Sequence, residues 1–539
     1  MPTIVVHKED FLTLLGHVPD TNELARAKSQ LVDILDDELK IEIADTNRPD
    51  LWSAEGIVRE LSGPKEYSFF DTSPQHEVIV SPEVLEVRPY IGAFLVKDIK
   101  LTDISLRSII QSQEKLSDLY GRGRRDIAIG IYDASKIVFP IHYRGVHPSE
   151  VRFTPLDMTE ELSLAEILDK HPKGIEYGHL IKSCKFYPLL VDNDNKVLSF
   201  PPIINSRDIG EVTPTHTYLF CETTGTNLEM VLLVTNILAT NFADRGAQIL
   251  PISIVYPDGK KVKTPQDISE PWELSPHDVQ QLLGISLDMD EIHSILRAAN
   301  YRIKDGKLYP PPWRADIMSV ADIIEDIAIH RGYNTFTPLG LTDFTVGHST
   351  PIEELIEDIR NIMVGIGFEE ILSHVLTSKD NLIYRMNLPE RKIIEIDNVM
   401  SLSYSVLRDT IIPSLLEVES LSSKSLYPHK LFEVGEVVIY DPGSPEYSRT
   451  VNHLAAIVAH PQANFSETHS YLNALFHQLN LTYKIEPTSH PSYIPGRVAK
   501  ILVNNHEIGI IGELHPEVLT RWNIKVPVTA FEIEIDAIG

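Results

Sequence analysis

Hydrophobic positions along the chain follow two periods, and the places where the period changes divide it into units. Near the start DELKIEIADTN alternates apolar and polar residues as a half-buried strand does, and DLWSAEGIVRELSG then turns to helical spacing and stops at Gly63. A second unit opens near Leu85 with the strand-like YIGAFLVKDI. A helix follows in which Leu106, Ile109, Ile110, Leu116 and Leu119 recur at helical spacing before Gly121. DIAIGIYD alternates again, so Ile127, Ile129 and Ile131 face a core while the opposite side packs small residues. Strands at YPLLVD and THTYLFCETT precede the helix NLEMVLLVTNILATNFA.

The polar, Pro-containing stretch TPQDISEPWELSPHD marks a boundary. Beyond it Ser275 and Pro276 offer an N-cap and a first-turn proline, and DMDEIHSILRAAN sets Ile292, Ile295, Leu296 and Ala299 on one helix face. Further on, helices such as PIEELIEDIRNIMVGIGF alternate with strands such as HKLFEVGEVVIYD, AKILVNN and VTAFEIEID, the pattern of a sheet flanked by helices. The expectation is a multidomain α+β and α/β chain with divisions at 1–84, 85–266, 267–344 and 345–539.

Length agrees, since 539 residues exceed the roughly 250–300 at which a single core stops growing. With 43% hydrophobic and 23% charged residues, every unit can bury a core. Cys184 and Cys221 build neither a disulfide framework nor a cysteine zinc site, and a reducing cytoplasm fits. The opening MPTIVVHKEDF lacks the basic and apolar regions of a signal peptide, and no run reaches the roughly 18–20 apolar residues of a membrane helix. The net charge of -29 means that any contact with a phosphate backbone is local. The one basic cluster, Arg122, Arg124 and Arg125 in YGRGRRD, reads by itself as a solvated turn. Its imitation of a dinucleotide fingerprint fails because Asp126 takes the sixth position.

Two constellations could carry chemistry. Asp316, Asp322, Glu325 and Asp326 lie in DIMSVADIIED, and on a helix the last three share a face at i, i+3 and i+4. Clustered carboxylates suit Mg2+. Ser319 with Asp322 is equally a capping box, so the spacing leaves metal and cap both open. The second is polar within apolar sequence: Ser199 and Asn205 in SFPPIINS, and Glu222, Thr224 and Thr226 in FCETTGTN. It is either a pocket that reads a polar group or two strand ends and a turn at Gly225. Zinc-helix, phosphate-loop and nucleophile-elbow motifs are absent.

TNRPDLWSAEGIVREL, IIQSQEKL with DIAIGIYD, PPIIN with ETTGT, and WRADIMSVADIIEDIAIHRGYN occur in this order, and together they resemble the phenylalanyl-tRNA synthetase beta subunit family of archaeal and eukaryotic type. The resemblance implies an N-terminal α+β domain, an α/β editing domain, a small helical or winged-type domain and an inactive C-terminal module like the class II synthetase catalytic domain. It assigns Leu190, Ser199, Asn205, Glu222 and Thr224 to an editing pocket that hydrolyses mischarged tyrosyl-tRNA(Phe). Glu222 would accept the tyrosyl hydroxyl, at a position that is Asp in some members. The acids Asp316, Asp322, Glu325 and Asp326 would bind Mg2+ at the boundary with an alpha subunit.

Partners implied are that alpha subunit, in a two-alpha, two-beta assembly, and tRNA(Phe); ATP would bind the alpha subunit, and no membrane is involved. Consistently, no ATP-contacting Arg stands near KLFEVGEVV, where Phe432, Glu433 and Gly435 sit. The bacterial form's inserted oligonucleotide-binding fold and anticodon-binding domain are not evident, so anticodon recognition is not expected. A non-editing scaffold for the alpha subunit is the alternative, and a free-standing aminoacyl-tRNA hydrolase is disfavoured by the acidic motif and the C-terminal module.

Overall fold

The structure is a computed structural model and describes residues 1–422 and 424–538. It divides into two compact units, Met1–Leu339 and Gly340–Gly539.

In the first unit a three-stranded antiparallel sheet of Thr3–His7, Glu38–Ile43 and Ser29–Leu35 carries the expected alternation, with Leu39, Ile41 and Ile43 buried. The helix Ala54–Ser62 begins at Ser53, whose hydroxyl accepts from the Gly56 amide, and ends at Gly63, where φ is +82°. The main element is a mixed ten-stranded sheet. Its central path runs Ile141–Val146, His76–Val80, Gln248–Val255, Tyr90–Lys97, Tyr218–Gly225, Ile127–Asp133. His76–Val80 pairs in parallel with both neighbours, so this sheet takes in a strand that the expected division at 84/85 leaves with the first domain.

Leu228–Asp244 is buried on nearly every side. Its apolar residues pack on Phe94, Val96, Ile127, Ile129 and Ile131 and on the N-terminal core in one continuous cluster that also contains Ile4, Ile57 and Trp313. Polar groups fix the seam. Arg59 Nε donates to Asp244 Oδ2 at 2.8 Å, Tyr67 to Asp244 Oδ1 at 2.7 Å, and Asn236 Nδ2 to the Pro312 carbonyl at 2.8 Å. The first two expected domains therefore share an interior, to which the third contributes Trp313 while keeping a core of its own. Ser275 caps Pro276–Leu283 in a reciprocal box with Asp278, and Ile292 and Leu296 of Met289–Ala298 pack on Ile323, Ile324 and Ile327 of Val320–Arg331.

The second unit is a seven-stranded sheet ordered Glu369–Glu370, His429–Tyr440, Ser448–Ala459, Val528–Glu534, His506–Leu514, Tyr493–Val503, Tyr483–Pro487, antiparallel except for the first pair. Strand alternation sorts two cores. Phe432, Val434, Leu454 and Phe531 meet the helices Pro351–Gly365 and Phe465–Gln478, whereas Leu431, Val437, Ala455 and Ala530 meet Ile412–Leu421. Among the described residues no helix is long and apolar enough to cross a membrane.

Candidate functional site

Tyr218–Gly225 lies between Tyr90–Lys97 and Ile127–Asp133, and the second pairing sets Glu222 directly opposite Gly130. Only a residue without a side chain fits there. A Cβ on Gly130 would overlap the Tyr132 hydroxyl and come 2.6 Å from Glu222 Oε1. Tyr132 Oη donates to Glu222 Oε1 at 2.9 Å, while Glu222 Oε2 and Ser199 Oγ, both buried, find no partner among the described residues. Glu222 is 3% exposed. Burial pushes its carboxyl up to about 7, against the weaker opposing pull of the Tyr132 hydrogen bond and the Arg88 charge.

Glu222, Ser199 and Asn205 line one cavity of about 200 Å3, with Ile129, Pro202 and Gln113 on other walls. Ser199 and Asn205 arrive there because Val197–Phe200 pairs with Ile204–Asn205 across a turn, register Ser199 to Asn205. The other two expected pocket residues stand outside this wall. Leu190 pairs with Ser199 but is fully buried in the apolar cluster of Val78, Phe220 and Ile252 and does not line the cavity. Thr224 Oγ1 accepts from Arg88 Nε at 3.1 Å and its carbonyl from Arg88 Nη2 at 2.7 Å, so it serves the strand's framework.

The basic turn is not simply solvated. Arg88 Nη1 donates to the carbonyls of Arg124 and Arg125, clamping the turn from beneath. Arg124 stacks over Tyr177 at 4.2 Å, donates to the Ile203 carbonyl at 3.0 Å and lines the cavity beside Lys173. Arg122 remains exposed and pairs with Asp126. Sequence reasoning missed Tyr132, Gly130, Arg88 and the role of Arg124; a glycine inside an alternating strand was the one local signal.

The four acids of the helix motif separate. Arg314 forks onto Asp316 (Nη2 to Oδ2, 2.5 Å) and reaches Asp326 (Nη1 to Oδ2, 2.5 Å), and Tyr301 also donates to Asp326 at 2.7 Å. Burial disfavours both charges, but Arg314, aided by Arg48, outweighs it and holds Asp316 down to about 2 and Asp326 below the usual carboxylate range. Asp322 Oδ2 accepts from the amides of Ser319 and Met318 at 2.7 and 2.8 Å, which is the cap. Glu325, half exposed, meets Lys28 at 3.2 Å. The expected shared face is thus split, because packing of Ile323 and Ile327 carries Asp326 inward with them. Among the described residues no three His, Cys, Asp or Glu side chains converge closely enough to hold a metal ion.

Fold and cavity define a multidomain α/β protein with a polar pocket built into a mixed sheet. Residues 272–333 match the tRNA synthetase B5 domain, and residues 340–535 match the phenylalanyl tRNA synthetase beta chain CLM domain. The chain is 40% identical to the phenylalanine--tRNA ligase beta subunit of Pyrococcus abyssi, covering 99% of each chain, and 38% identical to that of Borrelia recurrentis, covering 100% of each. Among solved structures, an N-terminal fragment of the phenylalanyl-tRNA synthetase beta subunit from Pyrococcus horikoshii is 38% identical. It aligns over 62% of this chain and all of its own, with a TM-score of 0.59. The chain belongs to the phenylalanine–tRNA ligase beta subunit family.

Proposed function

We propose that this chain joins an alpha subunit in a two-alpha, two-beta phenylalanine–tRNA ligase and proofreads its product by hydrolysing tyrosyl-tRNA(Phe) in the cavity at Glu222. The observation that carries this is the buried Glu222 carboxyl, which lines a small polar cavity and whose Oε2 has no partner among the described residues. Tyrosine differs from phenylalanine by one hydroxyl. An apolar site rejects an added hydroxyl only about a hundredfold, whereas a site whose buried polar group needs that hydroxyl selects for it strongly. Glu222 is that group, and Ser199 and Asn205 offer further hydrogen bonds to the aminoacyl end.

Hydrolysis needs little more from the protein than position. Water adds to the ester carbonyl, the bond to the ribose oxygen breaks, that oxygen keeps one of the water's protons, and tyrosine leaves as its carboxylate while the other proton passes to solvent. The terminal ribose hydroxyl of the tRNA and the walls of the cavity orient the water. Arg124 and Lys173 set positive charge at the cavity for the RNA end, despite the chain's overall negative charge.

In this reading, residues 85–266 are the editing domain and 345–539 a catalytic-like module that activates no amino acid. In that module Arg408 and Glu433 are paired at 2.8 Å and fully buried, so neither is offered to a nucleotide. ATP binds the alpha subunit, and the protein works in the cytoplasm. Magnesium would be held only in the assembled complex. Asp322 and Glu325 are the acids of the motif not engaged by Arg314, and the ion would neutralise charge at the subunit boundary.

The test is deacylation of tyrosyl-tRNA(Phe), with phenylalanyl-tRNA(Phe) as control, by the assembled complex. Tyrosine-selective hydrolysis that Glu222→Ala abolishes or makes unselective is expected. Absence of hydrolysis in a complex that charges phenylalanine normally would leave the chain a scaffold.

A further inference from the structure

Glu222 has two carboxylate oxygens and one internal partner. Tyr132, two residues along the neighbouring strand from Gly130, occupies Oε1 with its phenol at 2.9 Å and leaves Oε2 over. The tyrosine is fully buried and its ring stacks obliquely on Phe220 with centroids 5.8 Å apart, so its χ angles are fixed by packing. Gly130 opposite Glu222 provides the space in which phenol and carboxyl meet. Among the described residues, the other titratable groups near this carboxyl do not hydrogen-bond to it. Arg88 supplies positive charge from the segment before Tyr90–Lys97, Cys221 is its own strand neighbour, and Tyr143 reaches it from Ile141–Val146. Glu114, Arg124, Asp157 and Lys173 share the cavity walls.

We infer that Tyr132 is a positioning residue for discrimination: its phenol holds Glu222 by one oxygen so that the other is presented, fixed and ionisable, to the phenol of a bound tyrosyl group. Glu222 is then bridged between an internal phenol and the substrate's, and Gly130 is the glycine that permits the bridge. The internal donor does two things that packing alone cannot. It removes the rotational freedom of a carboxyl that must select on one hydrogen bond, and it stabilises the ionised form, which accepts that bond better than the protonated one.

This inference rests on the editing reading above, and the variants separate the two. The assembled complex is assayed for hydrolysis of tyrosyl- and phenylalanyl-tRNA(Phe) from pH 5.5 to 8.5 as wild type, Tyr132→Phe, Glu222→Gln, and with 3-fluorotyrosine placed at 132. Glu222→Gln should lose tyrosine selectivity; if it stays selective, Glu222 is not the selecting group and the role of Tyr132 falls with it, whereas a wild type that hydrolyses neither substrate overturns the editing reading itself. Tyr132→Phe keeps the ring that packs on Phe220 and should lose about tenfold in tyrosyl over phenylalanyl preference. The loss should appear in KM for tyrosyl-tRNA more than in kcat, and the pH midpoint of selectivity should move up. The fluorinated phenol, a stronger donor that keeps the native fold, should move the midpoint down. Wild-type selectivity and midpoint in Tyr132→Phe, or an unmoved midpoint with 3-fluorotyrosine, while Glu222→Gln is unselective, overturns the inference for Tyr132 alone.

Discussion

Arg48 Nε lies 3.8 Å from Asp316 Oδ1, joining the segment that begins TNRPDLW to the segment that begins WRADIM. Around that contact Arg48 also holds Asp50 at 2.8 Å and Glu60 at 2.9 Å, and Arg314 holds Asp316 and Asp326, with both arginines 1% exposed. A buried charge is tolerable only while its partners are present. Arg314→Met should therefore cost about 3–5 kcal/mol, because it strands Asp316 and Asp326 together in a dry interior. The denaturation midpoint of the full chain measures this, and a loss below about 1 kcal/mol would mean that water reaches the acids.

The same pairing fixes an acid limit. Asp316 is depressed from 3.8 to about 2, so its contribution is complete above pH 4 and is lost as pH falls through 2. That contribution is about 2 kcal/mol, at roughly 1.4 kcal/mol per unit. Asp316→Asn should flatten stability between pH 4 and 2 relative to wild type, as read by urea unfolding at each pH.

Glu222 has the opposite sign. The unfolded chain releases this proton near 4.5 and the folded chain keeps it to about 7, so rising pH between those values favours unfolding. The expected cost is about 3 kcal/mol above pH 7. Glu222→Gln removes the titration. Its stability relative to wild type should rise by about that amount between pH 4.5 and pH 8, and a difference independent of pH would contradict a raised carboxyl.

Asp322 and Glu325 separate cap from metal. Asp322→Asn weakens the hydrogen bonds to the Ser319 and Met318 amides and should cost about 1 kcal/mol of stability. Glu325→Gln touches only a half-exposed pair with Lys28 and should change stability by less than about 0.5 kcal/mol. Both should weaken magnesium binding by the assembled complex roughly tenfold or more, as a loss of ligand oxygen would. Magnesium titration of the complex decides it: unchanged affinity in Glu325→Gln would remove this residue from the metal site.

Ser275→Ala breaks one half of the box that starts Pro276–Leu283, whose other half is the Asp278 carboxylate on the Ser275 amide at 2.9 Å. A loss of about 1 kcal/mol is expected, with Ser275→Gly closer to neutral. Equal losses would show that the serine acts through packing and not through its hydroxyl.

Local rules carried the reading of the chain where they concern neighbours in sequence. Ser275 capped the helix it was expected to cap, Gly63 ended the helix it was expected to end, and Ile127, Ile129 and Ile131 went to the core. What escaped depends on contacts between distant segments. Alternation gives the side of Ile127–Asp133 on which Tyr132 lies, but only pairing with Tyr218–Gly225 brings its phenol to Glu222. His76–Val80 is too short to declare its sheet, and its parallel partners lie far along the chain. The acidic motif was read as one face because helical geometry predicts one. Arg314 lies outside that helix and draws two of the four acids to itself. Leu190 and Thr224, implied by resemblance, share a sheet face with Ser199 and Glu222 by register and by period two, yet Leu190 packs into an apolar cluster and Thr224 is held by Arg88, contacts with distant segments that no local pattern announces.

The shared interior of the first unit constrains how the protein is made. Its cluster draws on Ile4, Ile57 and Phe94, on the helix Leu228–Asp244 and on Trp313, which meets Tyr67 edge to face at 5.3 Å and lies under Arg59. A ribosome releases the strands of this core first and the indole that closes it on the order of tens of seconds later. Until then the nascent chain carries a largely apolar helix with one flank uncovered. Completion of this unit is consequently a late event in translation, and the interval before it is when the chain most needs shelter from its neighbours.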